Sequence, residues 1–175
     1  MESEQVDEEL SVFDEPRRPP RVLDQDTIRE PIRLLGPRTP LCLPPDATLD
    51  EAVRLMREHH VGCVLAVEDG RLAGILTERD LLLKLEQGDL GRPVSQLMTP
   101  DPEVLGPGDP IVYALNKMSV GGFRHIPLVD AVGRPVGIVS VKDIVDYIVD
   151  FFPNDVLTVP PEPVQGERWR GRDGG

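Results

Sequence analysis

Two heptapeptides, GILTERD at 74–80 and GIVSVKD at 137–143, repeat one pattern: glycine, two aliphatics, a hydroxyl residue, two variable residues and an aspartate. The likeness extends around them. Pro31 and Pro93 lie 62 residues apart, as do Pro40 and Pro102, Leu43 and Leu105, Ala52 and Ala114, and Met56 and Met118. Further on, Gly70 and Gly133, Gly74 and Gly137, and Asp80 and Asp143 lie 63 apart. An insertion of one residue is expected between Met118 and Phe123, at a helix end beside Gly121 and Gly122, since loops absorb insertions at little cost. With that insertion, Arg124 aligns with Val61 and His125 with Gly62. Two copies of about sixty residues strongly limit the fold, because neither could bury its apolar face alone.

Each copy has the same order of elements. Leu49, Ala52, Val53 and Met56 recur at helical spacing, with Thr48 as N-cap and Glu51 three residues on. CVLAV (63–67), the turn EDGR and LAGIL (72–76) form a hairpin pattern. A helix follows from Thr77, with a stop expected at Gly88. In the second copy the parts are the helix PIVYALNKMSV, the strands HIPLV and PVGIV, and a last helix expected to stop at Pro153. The fold class is α/β (α+β), with two such units sharing a core about an approximate twofold axis.

The ends differ from the middle. Residues 1–15 hold seven acids and no base, and the Pro-rich runs at both ends lack the apolar content to order themselves. The expected organisation is a disordered acidic segment 1–25, repeat one over 26–91, repeat two over 92–152 and a tail over 153–175, with the lone tryptophan, Trp169, in the tail. A pI near 4.6 argues against nucleic-acid or anionic-membrane partners. No apolar run is long enough to span a bilayer and no signal peptide is evident. Cys42 and Cys63 have no metal-site spacing and suit a reducing cytoplasm. His59 and His60 are adjacent and so point to different faces of a helix, and no catalytic motif is found. The chain is expected to be non-catalytic and free of bound metal.

Thr77-x-x-Asp80 and Ser140-x-x-Asp143 fit a capping box, with the hydroxyl and carboxylate satisfying helix N-terminal amides. They also fit a ligand site, because a carboxylate in that place can accept both hydroxyls of a ribose. The residues alone leave the two readings open.

The doubled G-h-h-[TS]-x-x-D (h, aliphatic), the leading P-I/V segment, the P-D-A-T-L-D-E-A helix start and the glycine turns, in this order over residues 31–150, resemble the tandem CBS domain, the cystathionine β-synthase module. The resemblance implies two βαββα repeats with pseudo-twofold symmetry, forming a disc with two clefts, and a disc-like homodimer. It implies an adenine nucleotide ligand, AMP, ADP or ATP, ahead of S-adenosylmethionine or NAD. It also implies a regulated protein partner, the alternatives being a ligand-free dimerisation or interaction scaffold and a regulatory subunit of an enzyme. Carried over, Thr77 and Asp80 serve one cleft, with apolar walls from Leu41, Cys42 and Cys63. Ser140 and Asp143 serve the other, with walls from Val104 and Ile126. Arg124 and His125, which stand where family members usually show His-Arg, reach the phosphate held at Asp80. The Asp143 cleft, matched with Val61 and Gly62, is expected to lack such help and to bind a phosphorylated nucleotide less tightly.

Overall fold

The computed structural model describes residues 23–86 and 89–152. The acidic start, Gly88, Pro153 and Trp169 lie outside the described residues. Helices and hairpins form where the periodicity places them. In repeat one, β1 (Cys42–Leu43) precedes α1 (Leu49–His59), then β2 (Cys63–Glu68), β3 (Arg71–Thr77) and α2 (Glu78–Lys84). Thr48 and Glu51 close a full capping box on α1. The helix α2 ends at Lys84, with Leu85 extended as its C-cap. A short strand β4 (Thr99–Pro100) leads into α3 (Ile111–Gly121), β5 (His125–Val129), β6 (Pro135–Ser140) and α4 (Val141–Val149). The strand matching β1 is reduced here to one parallel bridge, Leu105 to Leu128.

The ladder registers relocate the inserted residue. Cys63 pairs with Thr77 and Val67 with Leu72, whereas His125 pairs with Ser140 and Val129 with Pro135. The 62-residue offset therefore persists through β5 and changes only in the hairpin turn, where Asp130–Arg134 replaces the shorter turn at 68–71. The C-cap residues mark equivalent helix ends: His60 and Gly122 both adopt left-handed backbone, at φ 54° and 68°. The expected insertion at the end of α3 is thus corrected. Arg124 is the counterpart of Gly62, and His125 of Cys63. A tight turn admits an extra residue without disturbing the strands, while an insertion before β5 would turn every side chain of that strand to its other face.

Each repeat is completed by the leader of the other. Ile32, fully buried, joins a core with Leu105, Ile111, Ala114, Ile126, Leu128 and Ile144 of repeat two. Val94 and Leu97, at the start of repeat two in sequence, are buried with Leu49, Ala52, Val64 and Leu76 of repeat one. The backbone repeats the exchange symmetrically. Ile32 N donates to Asp109 O at 2.8 Å, and Val94 N donates to Ala47 O at 2.8 Å. The leaders then edge the opposite hairpins: Arg38 bridges to Ile138, and Thr99 pairs with Ile75. A third cluster, Cys63, Leu65 and Ile75 with Ile138 partly buried beside it, packs one hairpin against the other.

Candidate functional site: two clefts between the repeats

Strand alternation decides which side chains can reach the space between the repeats. Along β2, Val64 and Ala66 face the α1 core, while Cys63 and Leu65 face the other hairpin. The corrected register gives His125 the place of Cys63, so it too faces the junction, and Ile126 takes the place of Val64 in the core. Two cavities open there.

The first, of 380 Å³, is lined by Thr77, Asp80, Arg124 and His125 together with Ile75 and Phe123. The second, of 740 Å³, is lined by Ser140, Asp143, Leu41, Cys63, Arg38 and Ile138. Both volumes lie within the usual range for small-molecule sites, roughly 300–1,000 Å³. Arg124, His125, Gly62 and Glu78 line both.

The wall residues expected from the resemblance are redistributed. Leu41 and Cys63 line the Asp143 cleft instead of the Asp80 cleft: Leu41 follows the leader that edges the hairpin of repeat two at Arg38 and Ile138, and Cys63 is a β2 side chain facing that hairpin. By the same exchange, Asp101 and Glu103 of the second leader line the Asp80 cleft. Ile126 is fully buried in the core and lines neither cavity. Cys42 and its counterpart Val104 also line neither; both are exposed, and the Cys42 thiol turns to Pro40 O at 3.8 Å. The Asp143 cleft does have cationic partners, correcting the expected deficit: Arg38 Nη2 lies 3.3 Å from Asp143 Oδ1, and Lys142 also lines the cavity. Periodicity could not reveal Arg38, Asp101 or Glu103 as lining residues. They lie in irregular leaders whose destination depends on the exchange; the only hint is that Pro40 and Pro102 occupy matched positions.

The two aspartates are held alike. Asp80 Oδ2 accepts from Thr77 N at 3.0 Å and from Thr77 Oγ1 at 2.6 Å, and Thr77 Oγ1 in turn accepts from Asp80 N at 3.2 Å. Asp143 Oδ2 accepts from Ser140 N at 2.6 Å and Ser140 Oγ at 2.7 Å. Both motifs are therefore complete capping boxes. Each box uses only one carboxylate oxygen. The other, Oδ1, meets a cation: Lys84 at 2.7 Å from Asp80, and Arg38 at 3.3 Å from Asp143. Burial opposes ionisation of Asp80, but the hydrogen bonds from Lys84 and Thr77 outweigh it and hold the carboxyl below its ordinary value of 3.8. Removing the hydroxyl in Thr77→Ala is expected to cost about 1 kcal/mol of stability, measured by urea unfolding, through loss of the cap.

His125 is a neutral ring more than a charge at neutral pH. Burial lowers its pKa below 6.5 and the Arg124 guanidinium adds to this, against the pull of Glu78 and Asp143. The unfolded chain then takes up the proton first as pH falls, so the folded state loses stability from pH 6.5 downward through the lowered value. Urea unfolding between pH 7.5 and 5 should show this decline, and His125→Gln should flatten it. An unchanged slope in the variant would assign the decline to other groups. The Cys63 thiol is pushed up to about 12 by burial and Glu78, so it serves as an inert apolar wall.

Among the described residues, no cluster of three or more metal-binding side chains occurs, and no helix is long and apolar enough to cross a membrane.

A βαββα unit given twice, with exchanged leaders and a cleft at each T/S-x-x-D, is the architecture of a CBS pair. The sequence profile of the CBS domain matches residues 28–87 and 94–150, and the chain belongs to that family. An uncharacterised protein of Acidianus ambivalens is 34% identical over 107 residues, covering 61% of this chain and 65% of that protein. The CBS domain-containing protein YhcV of Bacillus subtilis is 37% identical over 102 residues, covering 57% of this chain and 72% of YhcV. Among solved structures, a CBS domain protein of Pyrobaculum aerophilum complexed with AMP is 28% identical with a TM-score of 0.60, covering 65% of this chain and 88% of that one. This chain thus spans about two thirds of the Acidianus protein's length.

Proposed function

We propose that this protein is a non-catalytic regulatory module that binds adenosine-containing nucleotides in its two inter-repeat clefts and signals metabolite status to a protein partner. One observation carries the reading. Each motif aspartate lines an open cavity and spends only one oxygen on its helix cap. The second oxygen is held by a half-exposed side-chain cation that a ribose can displace. Capping and ligand binding are thus compatible uses of the same carboxylate. The AMP complex of the Pyrobaculum relative supports the choice of ligand class.

Because both cavities are built from both repeats, a bound nucleotide would tie the repeats together. It would shift their packing only as far as its affinity differs between the two arrangements. A homodimer fits the exposure of Tyr113 and Val120 on α3.

The test is thermal and urea unfolding with AMP, ADP, ATP, S-adenosylmethionine and NAD. Stabilisation by at least one of these, lost when both aspartates are replaced, is the expected result. Stabilisation by none would favour a ligand-free scaffold, a reading supported by the completeness of the capping boxes without ligand.

A further inference from the structure

The two clefts are related by pseudosymmetry but are opposite in charge, and the difference can be read position by position. Asp101 and Glu103, at the Asp80 cleft, stand where Thr39 and Leu41 stand at the Asp143 cleft. Glu78 opens α2 beside Asp80, and its counterpart beside Asp143 is Val141. In the other direction, Arg38 of the Asp143 cleft matches Pro100, while His59 and His60 match Gly121 and Gly122. Among the described residues, the Asp80 cavity is therefore lined by four carboxylates and two guanidinium groups, Arg79 and Arg124. The Asp143 cavity is lined by three basic side chains, Arg38, Arg124 and Lys142, and two carboxylates, Glu78 and Asp143. Counterions outside the lining offset the formal charge of both cavities, so the contrast lies in the groups that line them. Lys84 and Lys117 pair with Asp80 and Glu103, and Asp146 pairs with Lys142. They leave unchanged the groups that a ligand would meet.

We propose that the clefts sort adenosine ligands by charge. The Asp143 cleft takes a phosphorylated nucleotide with Arg38 gripping phosphate, and the Asp80 cleft takes an adenosine derivative without phosphate, uncharged or cationic. The proposal rests on the nucleotide-binding reading above. The chemistry follows from the lining. A phosphate dianion placed against Asp101 and Glu103 meets like charge in a partly enclosed space, where screening is weak. Against Arg38 it meets a planar donor pair suited to two phosphate oxygens. When a ribose hydroxyl displaces Arg38 from Asp143, the freed guanidinium remains in the same cavity for the phosphate. No equivalent exists at Asp80, whose displaced cation, Lys84, does not line the cavity.

Calorimetry on the full chain with AMP and with adenosine tests this. AMP is expected to bind with one tight site per chain, weakened by added salt. Asp143→Ala or Arg38→Gln should weaken it about tenfold or more, as for loss of a charge-assisted contact. Asp80→Ala should leave AMP affinity unchanged yet abolish one class of adenosine site, and Arg38→Gln should leave adenosine binding intact. The paired change Asp101→Asn with Glu103→Gln should recruit a second AMP. It also keeps the test valid should an aspartate variant fail to fold. Two equal AMP sites in the unaltered chain, or AMP binding lost in Asp80→Ala and retained in Asp143→Ala, would overturn the sorting and leave the nucleotide-binding reading intact. Binding of neither AMP nor adenosine would overturn the sorting; the nucleotide-binding reading falls with it only if ADP, ATP, S-adenosylmethionine and NAD also give no stabilisation.

Discussion

Ile32→Ala is expected to destabilise the chain by about 2–5 kcal/mol, the cost of emptying a core site that previously held a buried isoleucine. By sequence Ile32 belongs to the approach to repeat one, yet it lies fully buried among Leu105, Ile111 and Ile144 of repeat two. Its backbone amide is fixed to Asp109 O at 2.8 Å, so the turn Ile32–Leu35 cannot readily shift to fill the void. The effect should therefore appear as weakened packing of α3 and α4, read by hydrogen exchange, with repeat one affected less directly. Val94→Ala should give the mirror result: fewer atoms lost, with the damage in α1 and β2, where Val94 is buried. A loss below about 0.5 kcal/mol for Ile32→Ala, the level of an ordinary surface change, would mean the leader is not part of that core. The exchange implies that the repeats unfold together, so a single urea transition is expected.

The second large effect concerns ligand. At about 100 times its Kd, a nucleotide bound only to the folded chain adds roughly 2.7 kcal/mol of stability per site. Replacing Asp80 and Asp143 together by Ala should abolish that gain. The same change also removes the carboxylate half of two capping boxes, leaving the Thr77 and Ser140 hydroxyls on their helix amides, so the ligand-free variant should already be weaker by roughly 1 kcal/mol for each lost carboxylate contact. The two contributions separate because only one depends on ligand concentration. If the double variant keeps the full nucleotide stabilisation while losing the cap energy, the aspartates are structural and the ligand is held elsewhere. If it loses both, each carboxylate serves the helix through Oδ2 and the ligand through Oδ1, the division that the hydrogen bonds favour.

Much of this was legible before any coordinates. The helical spacing of Leu49, Ala52 and Met56 places three buried residues on one face of α1. Gly70 and Gly133 mark the two hairpin turns, both at positive φ, and the T/S-x-x-D pairs mark the starts of α2 and α4. These are local matters of period, turn chemistry and capping, and a dozen residues suffice to encode each. The failures share one cause. The position of the inserted residue, the destination of each leader and the walls of each cleft all depend on contacts between segments far apart in the chain. Arg38 meets Asp143 across 105 residues, and nothing near either one announces the partner.

Spacing and residue type act over short distances, and they suffice for a doubled helix–strand–strand–helix unit with a capped helix after each hairpin; the leading strand of each unit came from the family resemblance. Long-range packing settles that the leaders change places, that His125 and not Ile126 faces the cleft, and that Asp143 rather than Asp80 has the arginine from the first leader. The physical reason is strand register: one residue of shift reverses every side chain between core and cleft, and that choice is made by burial across the whole molecule.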